Sequence, residues 1–181
     1  AEKANLPVNT TLLALGVFPE DNEKALGMLG MHGTVPANYA VHKSDLLIAI
    51  GARFDDRITG KIDEFAPQAQ IIHIDVDPTS ISKNIKVDIP VVGDANNILT
   101  ELIKHVSYVE RKEWFERIAE WKKRYHVSYD NTSDIVKPQY VVEQICEATK
   151  GEAIVTTEVG QNQMWAAQYY TYTNPRSFLS S

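Results

Sequence analysis

The apolar positions of this chain fall into short, nearly unbroken runs separated by stretches with helical spacing. Residues 46–50, Leu-Leu-Ile-Ala-Ile, contain no alternating polar position, which suits a strand covered on both faces in a parallel sheet. Segments 8–15, 45–51, 70–76 and 89–93 predict strands of this kind; of the segments between them, 37–43 is the clearest helix and 78–83 reads as a short helical turn. Strands that alternate with helical crossovers indicate an α/β fold with a parallel, three-layer, Rossmann-like arrangement. Asp94 follows the fourth strand as the N-cap of a helix from Ala95 to about Val106, with Ile98, Leu99, Leu102 and Ile103 on its inner face.

The pattern changes further along. Glu110 to Tyr125 is a highly charged helix whose Trp114, Phe115, Ile118 and Trp121 recur at helical spacing, as a packing seam does. His126 to Val136 is polar and irregular, as in a linker. Lys137-Pro138-Gln139 then opens a helix that runs to about Thr149 and ends at Gly151, before a strand at 153–157 and a further helix introduced by Gly160. This predicts one domain over 1–106, a charged helix and linker over 107–136, and the first helix-strand-helix of a second α/β domain over 137–181.

Composition narrows the function classes. The net charge of −6 over 181 residues is mild and the basic side chains are scattered, so nucleic-acid binding lacks electrostatic support. No apolar stretch has the length of a membrane span and the N-terminus has no signal-peptide character, so the expected location is the cytoplasm. Cys146 is the single cysteine, which excludes an internal disulfide and a thiolate cluster, and its neighbours Val141, Val142 and Ile145 mark it as a small buried hydrophobe. The histidines at 32, 42, 73, 105 and 126 lack metal-ligand spacing. His73 and Asp75 alternate onto one strand face, a pair better read as structural than as zinc ligands.

Three blocks carry candidate chemistry. The apolar run at 46–50 breaks at Gly51 into Arg53-Phe54-Asp55-Asp56-Arg57, where open α/β sheets collect ligands beyond the carboxyl ends of their strands. Arg53 offers a planar donor fork to phosphate or flavin oxygens, while Asp56 and Arg57 are suited at least to pair with one another and shape the loop. Gly27, Gly30 and Gly33 are spaced in threes, unlike the usual dinucleotide turn, but allow close backbone approach to a flat or phosphorylated ligand that His32 can hydrogen-bond. Gly160-Gln161-Asn162 begins a helix whose free N–H groups make an anion site. Asp75 closes a strand where an acidic residue commonly accepts from a ribose hydroxyl, and Asp94 is placed in the same manner.

In order and spacing, Leu26–Ala40, Leu46–Arg57 and Val159–Gln168 closely resemble the large catalytic subunit of acetohydroxyacid synthase (acetolactate synthase), a thiamine-diphosphate enzyme that also carries FAD. The resemblance covers essentially the whole chain. It implies a fragment that begins inside the family's middle domain, without that domain's first strand, and stops soon after the C-terminal domain starts. It further implies that Thr11, Leu12, Leu29, Gly30, Met31, His32, Gly51, Ala52, Arg53, Phe54, Asp55, Asp75, Val76, Asp94 and Ala95 lie against FAD. Gln161 and Asn162 correspond to contacts with the thiamine diphosphate phosphates, although many members have His at the position of Asn162. Asp56 and Arg57 face the substrate entrance.

The activity so implied is the condensation of two 2-ketoacids with loss of CO₂, giving 2-acetolactate or 2-aceto-2-hydroxybutyrate for branched-chain amino-acid synthesis. The family's activating glutamate and the Gly-Asp-Gly segment that brings Mg²⁺ are not in this sequence. No catalytic residue or metal ligand is therefore expected in it, and the fragment is expected to be inactive. The family also implies a homodimer or larger homo-oligomer and a possible small regulatory subunit. Two alternatives stay open on the residues alone: another FAD-containing carboligase such as glyoxylate carboligase, and a non-catalytic nucleotide-binding module. The Asp55-Asp56 pair between two arginines favours acetohydroxyacid synthase over the first, and the Gly160–Trp165 block argues against the second.

Overall fold

The computed structural model describes residues 1–132 and 134–180. Its elements in chain order are β1 (Val8–Thr10), β2 (Ala25–Met28), α1 (Val35–Lys43), β3 (Leu46–Ile50), α2 (Asp56–Thr59), β4 (Gln70–Asp75) and β5 (Ile89–Val92). These are followed by α3 (Ala95–His105), α4 (Lys112–Arg124), α5 (Pro138–Ala148), β6 (Val155–Thr157), α6 (Gln161–Tyr169) and β7 (Phe178–Ser180). The chain divides into two compact units, one formed by Ala1–Leu6 and Asn38–Phe115 and the other by Pro7–Ala37 and the residues from Glu116 onward. Every strand pair is parallel, so the α/β class read from the apolar runs holds.

In the first unit β3, β4 and β5 lie side by side in that order. The apolar runs set an unbroken register between the first two, from Leu46 opposite Gln70 to Ile50 opposite Ile74. Ala49, Phe54, Ile71 and Ile85 are buried together, with Leu47, Phe65 and Val87 packed around them. Asp88 lends its carboxylate to the Ile71 N–H at 2.8 Å, satisfying a strand-end donor.

In the second unit β1 pairs with β2 and β6 with β7. Its core joins Leu15, Met28, Ala166, Ala167, Tyr170, Tyr172 and Phe178. Tyr172 is fully buried and donates its hydroxyl to the Ala166 carbonyl at 3.1 Å, which satisfies the one polar atom of its ring.

Several local expectations are corrected. The strand at 8–15 stops at Thr10 and becomes a 3-10 turn at Leu12–Ala14, which delivers Leu15 into the core. Ala25–Met28 is a strand that the sequence did not announce, because Gly27 interrupts its apolar run and it is held by pairing with β1, a separate segment of the chain. Residues 78–83 form turns and no helix. There the Asp77 carboxylate takes the Thr79 N–H at 2.9 Å and the Thr79 hydroxyl at 2.8 Å, an arrangement that competes with helix formation. The strand at 153–157 is confined to Val155–Thr157. Of the four residues expected on the inner face of α3, Ile98 is half-buried, whereas Leu99, Leu102 and Ile103 are exposed. An amphipathic pattern reports which face is apolar, not whether an element covers it.

Candidate cofactor-binding site

Parallel pairing places the carboxyl ends of β3, β4 and β5 along one edge of the first unit. The Gly51 N–H donates to the Ile74 carbonyl at 2.8 Å and the Gly93 N–H to the Asp75 carbonyl at 2.9 Å. Ladder bonds thus continue one residue past β3 and β5, and beyond them the chain leaves the sheet. Gly51, Ala52, Arg53, Phe54 and Asp55 follow the first strand, Asp75 and Val76 end the second, and Asp94 and Ala95 follow the third. Gly51 has φ +61° with no atom within 4 Å of where a Cβ would stand, so its outer face is open to close approach.

The side chains at this edge have distinct roles. Arg53 Nη2 pairs with Asp55 Oδ2 at 3.0 Å, both groups being well exposed, while the Arg53 carbonyl accepts from Asn84 Nδ2 at 2.8 Å. The loop is therefore fastened through its backbone, and the guanidinium, though paired with Asp55, stays exposed to solvent. Phe54, with φ +55° and 5% of its surface exposed, turns its ring inward against Phe65 and His73. It presents backbone outward, not an aromatic face. Among the described residues the ion pair of this loop is Arg53–Asp55 and not the expected Asp56–Arg57 pair, because Asp56 and Arg57 lie in the first turn of α2, where adjacent side chains diverge.

Asp75 Oδ1 accepts the Asp77 N–H at 2.9 Å. Asp94 caps α3 by accepting the Asn97 N–H at 3.0 Å, as its position predicts.

In the second unit the glycine-rich segment makes a tight turn between β2 and α1. The Leu29 N–H donates to the Thr10 carbonyl at 2.9 Å, the Gly33 N–H to Gly30 at 3.0 Å and the Thr34 N–H to Met28 at 2.9 Å. Thr11 and Leu12 therefore lie near Leu29 and Gly30. A Cβ on Gly33 would fall 2.1 Å from the Met28 carbonyl oxygen, so no other residue fits this turn. Thr34 Oγ1 accepts from the Ala37 N–H at 3.2 Å and donates to the Leu26 carbonyl at 2.5 Å, which starts α1. Met31 is 64% exposed at the tip.

Beneath the turn is a cavity of about 210 Å³ bordered by Glu20, Gly27, His32, Gly33 and Gln168. Glu20 had no signal in the sequence. Burial pushes its carboxyl up to about 7, partly offset by the Tyr172 N–H that Oε2 accepts at 2.8 Å.

Gln161 and Asn162 are exposed in the first turn of the nine-residue α6, and no side chain of the preceding residue caps that turn. Gln163 instead turns inward and donates to Ser180 Oγ at 2.5 Å. Uncapped first-turn N–H groups fit a phosphate. Within the second unit the Gly33 cradle and the buried Thr10 hydroxyl, which has no hydrogen-bond partner, fit a flat, phosphorylated ligand approached by backbone, and within the first unit the open face of Gly51 allows the same close approach. Among the described residues no group of three or more His, Cys, Asp or Glu is arranged to hold a metal.

The family model described as "Thiamine pyrophosphate enzyme, central domain" matches residues 1–102. The chain belongs to this family. Thiamine pyrophosphate enzyme relatives extend the likeness past the central domain. The acetolactate synthase large subunit of Haemophilus influenzae is 46% identical over 187 residues, covering 100% of this chain and 33% of that protein. The acetolactate synthase isozyme 3 large subunit of Escherichia coli is 45% identical over 187 residues, with 99% and 33% covered. Acetolactate synthase 1, chloroplastic, of Zea mays is 47% identical over 186 residues, with 99% and 29% covered. The chain thus spans about a third of the length of the curated relatives it matches. No helix among the described residues is long and apolar enough to cross a membrane.

Proposed function

We propose that this chain is part of an acetolactate synthase large subunit, in which two 2-ketoacids condense with loss of CO₂. With pyruvate as donor, a second pyruvate gives 2-acetolactate and 2-ketobutyrate gives 2-aceto-2-hydroxybutyrate. The observation that carries the reading is the end-to-end identity with acetolactate synthases, which continues beyond the central domain into α6. In the longer protein we assign 1–106 to the FAD-associated domain, 107–136 to a connecting helix and linker, and 137–181 to the start of the thiamine-diphosphate domain.

Bound thiamine diphosphate would supply the electron sink for decarboxylation, with Mg²⁺ held by ligands outside this sequence and FAD structural, since the net reaction transfers no electrons. The residues of this chain bind and orient. Arg53 offers its fork to flavin or phosphate oxygens, and Asp75 accepts from a ribose hydroxyl. Asp94 caps α3 beside the same ligand, where its role and that of Ala95 are compatible with contact. The turn at Leu29–His32, with Thr11 and Leu12, gives the flavin a backbone surface. Gln161 and Asn162 receive the diphosphate at the start of α6. Asp56 and Arg57 border the substrate entrance. A homodimer or larger assembly, a small regulatory subunit and a cytoplasmic location belong to the same proposal.

Products formed by the full-length protein from pyruvate, and from glyoxylate, test it. Acetolactate from pyruvate is the expected result. Tartronate semialdehyde from glyoxylate, or no product from either, would overturn it.

A further inference from the structure

His73 is left unexplained by the site as so far assigned. It lies on β4 two residues before Asp75, is fully buried, and has no hydrogen-bond partner on either Nδ1 or Nε2. A buried imidazole with both nitrogens unsatisfied gives up its hydration for nothing, so an apolar residue would serve better if packing were its only task.

Its surroundings supply a reason. Nε2 stands 3.7 Å from Asp75 Oδ2, within reach of the carboxylate but longer than a hydrogen bond. The other oxygen of that carboxylate, Oδ1, is already held by the Asp77 N–H at 2.9 Å. On its other side the imidazole meets Phe54 edge-on, with ring centres 5.1 Å apart and planes at 84°. Phe54 is the inward-turned residue of the Arg53–Asp55 loop. One buried side chain therefore touches both loops that border the strand-end site.

We propose that His73 is a positioning residue for Asp75. When a ribose-bearing cofactor engages the carboxylate, the imidazole closes the remaining gap of about 1 Å and donates Nε2–H to Oδ2. The carboxylate is then clamped from two sides, by His73 and by the Asp77 N–H, with its free lone pairs directed at a vicinal diol. Phe54 backs the imidazole, so the position of the Arg53 loop and the aim of Asp75 are set together. This rests on the assignment of Asp75 as a cofactor contact.

The test is a double-mutant cycle in the full-length protein, read by flavin fluorescence titration, with thiamine diphosphate affinity and thermal melting measured alongside. His73→Phe is expected to weaken FAD by about tenfold, as loss of a charge-assisted hydrogen bond does. His73→Gln, which retains a donor, should stay within about threefold of the parent. On an Asp75→Ala background, His73→Phe should cost no more than about twofold further, and thiamine diphosphate affinity should not move in any variant. Equal losses with and without Asp75, or a Gln variant as weak as the Phe variant, would overturn the clamp and leave His73 a packing residue. If His73→Phe does not fold, His73→Met replaces it under the same criteria. Unchanged FAD affinity in Asp75→Ala alone would instead overturn the assignment of Asp75, a result distinct from loss of coupling.

Discussion

Gln168 donates its side-chain amide to the carbonyl of His32 at 2.8 Å across 136 residues of sequence. Within the second unit this bond ties α6, whose first turn is assigned to a diphosphate, to the glycine-rich turn assigned to a flavin. A backbone carbonyl at the tip of a tight turn is otherwise a mobile acceptor, and Gln168 fixes its direction. Gln168→Ala is expected to cost about 0.5–1.5 kcal/mol in flavin affinity through a looser turn. Titration of FAD into the full-length apo-protein checks it, and an unchanged affinity would show that the turn holds itself.

Gly33 and Gly51 should respond differently to alanine. At Gly33 the new Cβ would meet the Met28 carbonyl oxygen at 2.1 Å, so the turn must open and flavin binding should be lost. At Gly51 the added carbon meets open space, and the cost is the backbone strain of φ +61°, about 1 kcal/mol. Thermal melts and FAD titrations of the two variants would reveal equal damage if the steric argument were wrong.

Arg53→Ala in the full-length protein should weaken FAD by about 1.5–3 kcal/mol and thiamine diphosphate much less. The exposed Arg53–Asp55 pair is itself worth little to stability, so the melting temperature should hardly change. Equal loss of both cofactors, or loss of thiamine diphosphate alone, would place Arg53 elsewhere.

Glu20 should make stability fall as pH rises. Its folded pKa, about 7, lies above the ordinary carboxylate value of 4.5, so between those limits the folded chain holds a proton that the unfolded chain releases. That contribution is fully present below about pH 4.5 and is lost as pH rises through about 7. Glu20→Gln keeps an acceptor for the Tyr172 N–H and removes the ionisation. The variant should melt higher than the parent at pH 8 and no higher at pH 5. A parallel pH profile for both proteins would exclude Glu20 as the source.

The 181-residue chain by itself should form no acetolactate with excess thiamine diphosphate, Mg²⁺ and FAD. The proposed function puts the proton-relay glutamate outside this chain, and acid–base assistance of that kind is worth about 10²–10⁴-fold. Colorimetric product assay decides, and turnover near that of an intact enzyme would contradict the assignment of the catalytic groups.

The sequence alone determined those features whose physics is local. An unbroken apolar run at 46–50 suits a strand, and β3 is that strand, but of its residues Ala49 alone is buried while Leu46 and Ile50 at its ends are exposed. Asp94 reaches its own Asn97 N–H three residues on, so a cap visible as a residue type is present as a hydrogen bond. Pro138 opens α5, and Gly151, at φ +70°, follows its end, each through its own backbone limits. The gathering of the residues after β3, β4 and β5 on one edge also followed from parallel pairing, itself legible in the runs.

Tertiary structure decided what depends on partners distant in the chain. β2 pairs with β1, and Leu99, Leu102 and Ile103 are exposed because no element among the described residues covers that face of α3. Phe54, in the loop after β3, turns inward against His73 of β4, whose two ring nitrogens are left without hydrogen-bond partners. Glu20 acquired its raised pKa from burial in the assembled core, partly offset by the N–H of Tyr172, 152 residues away. Burial and the pairing of groups remote in sequence are properties of the assembled core, and no pattern within a single segment encodes them.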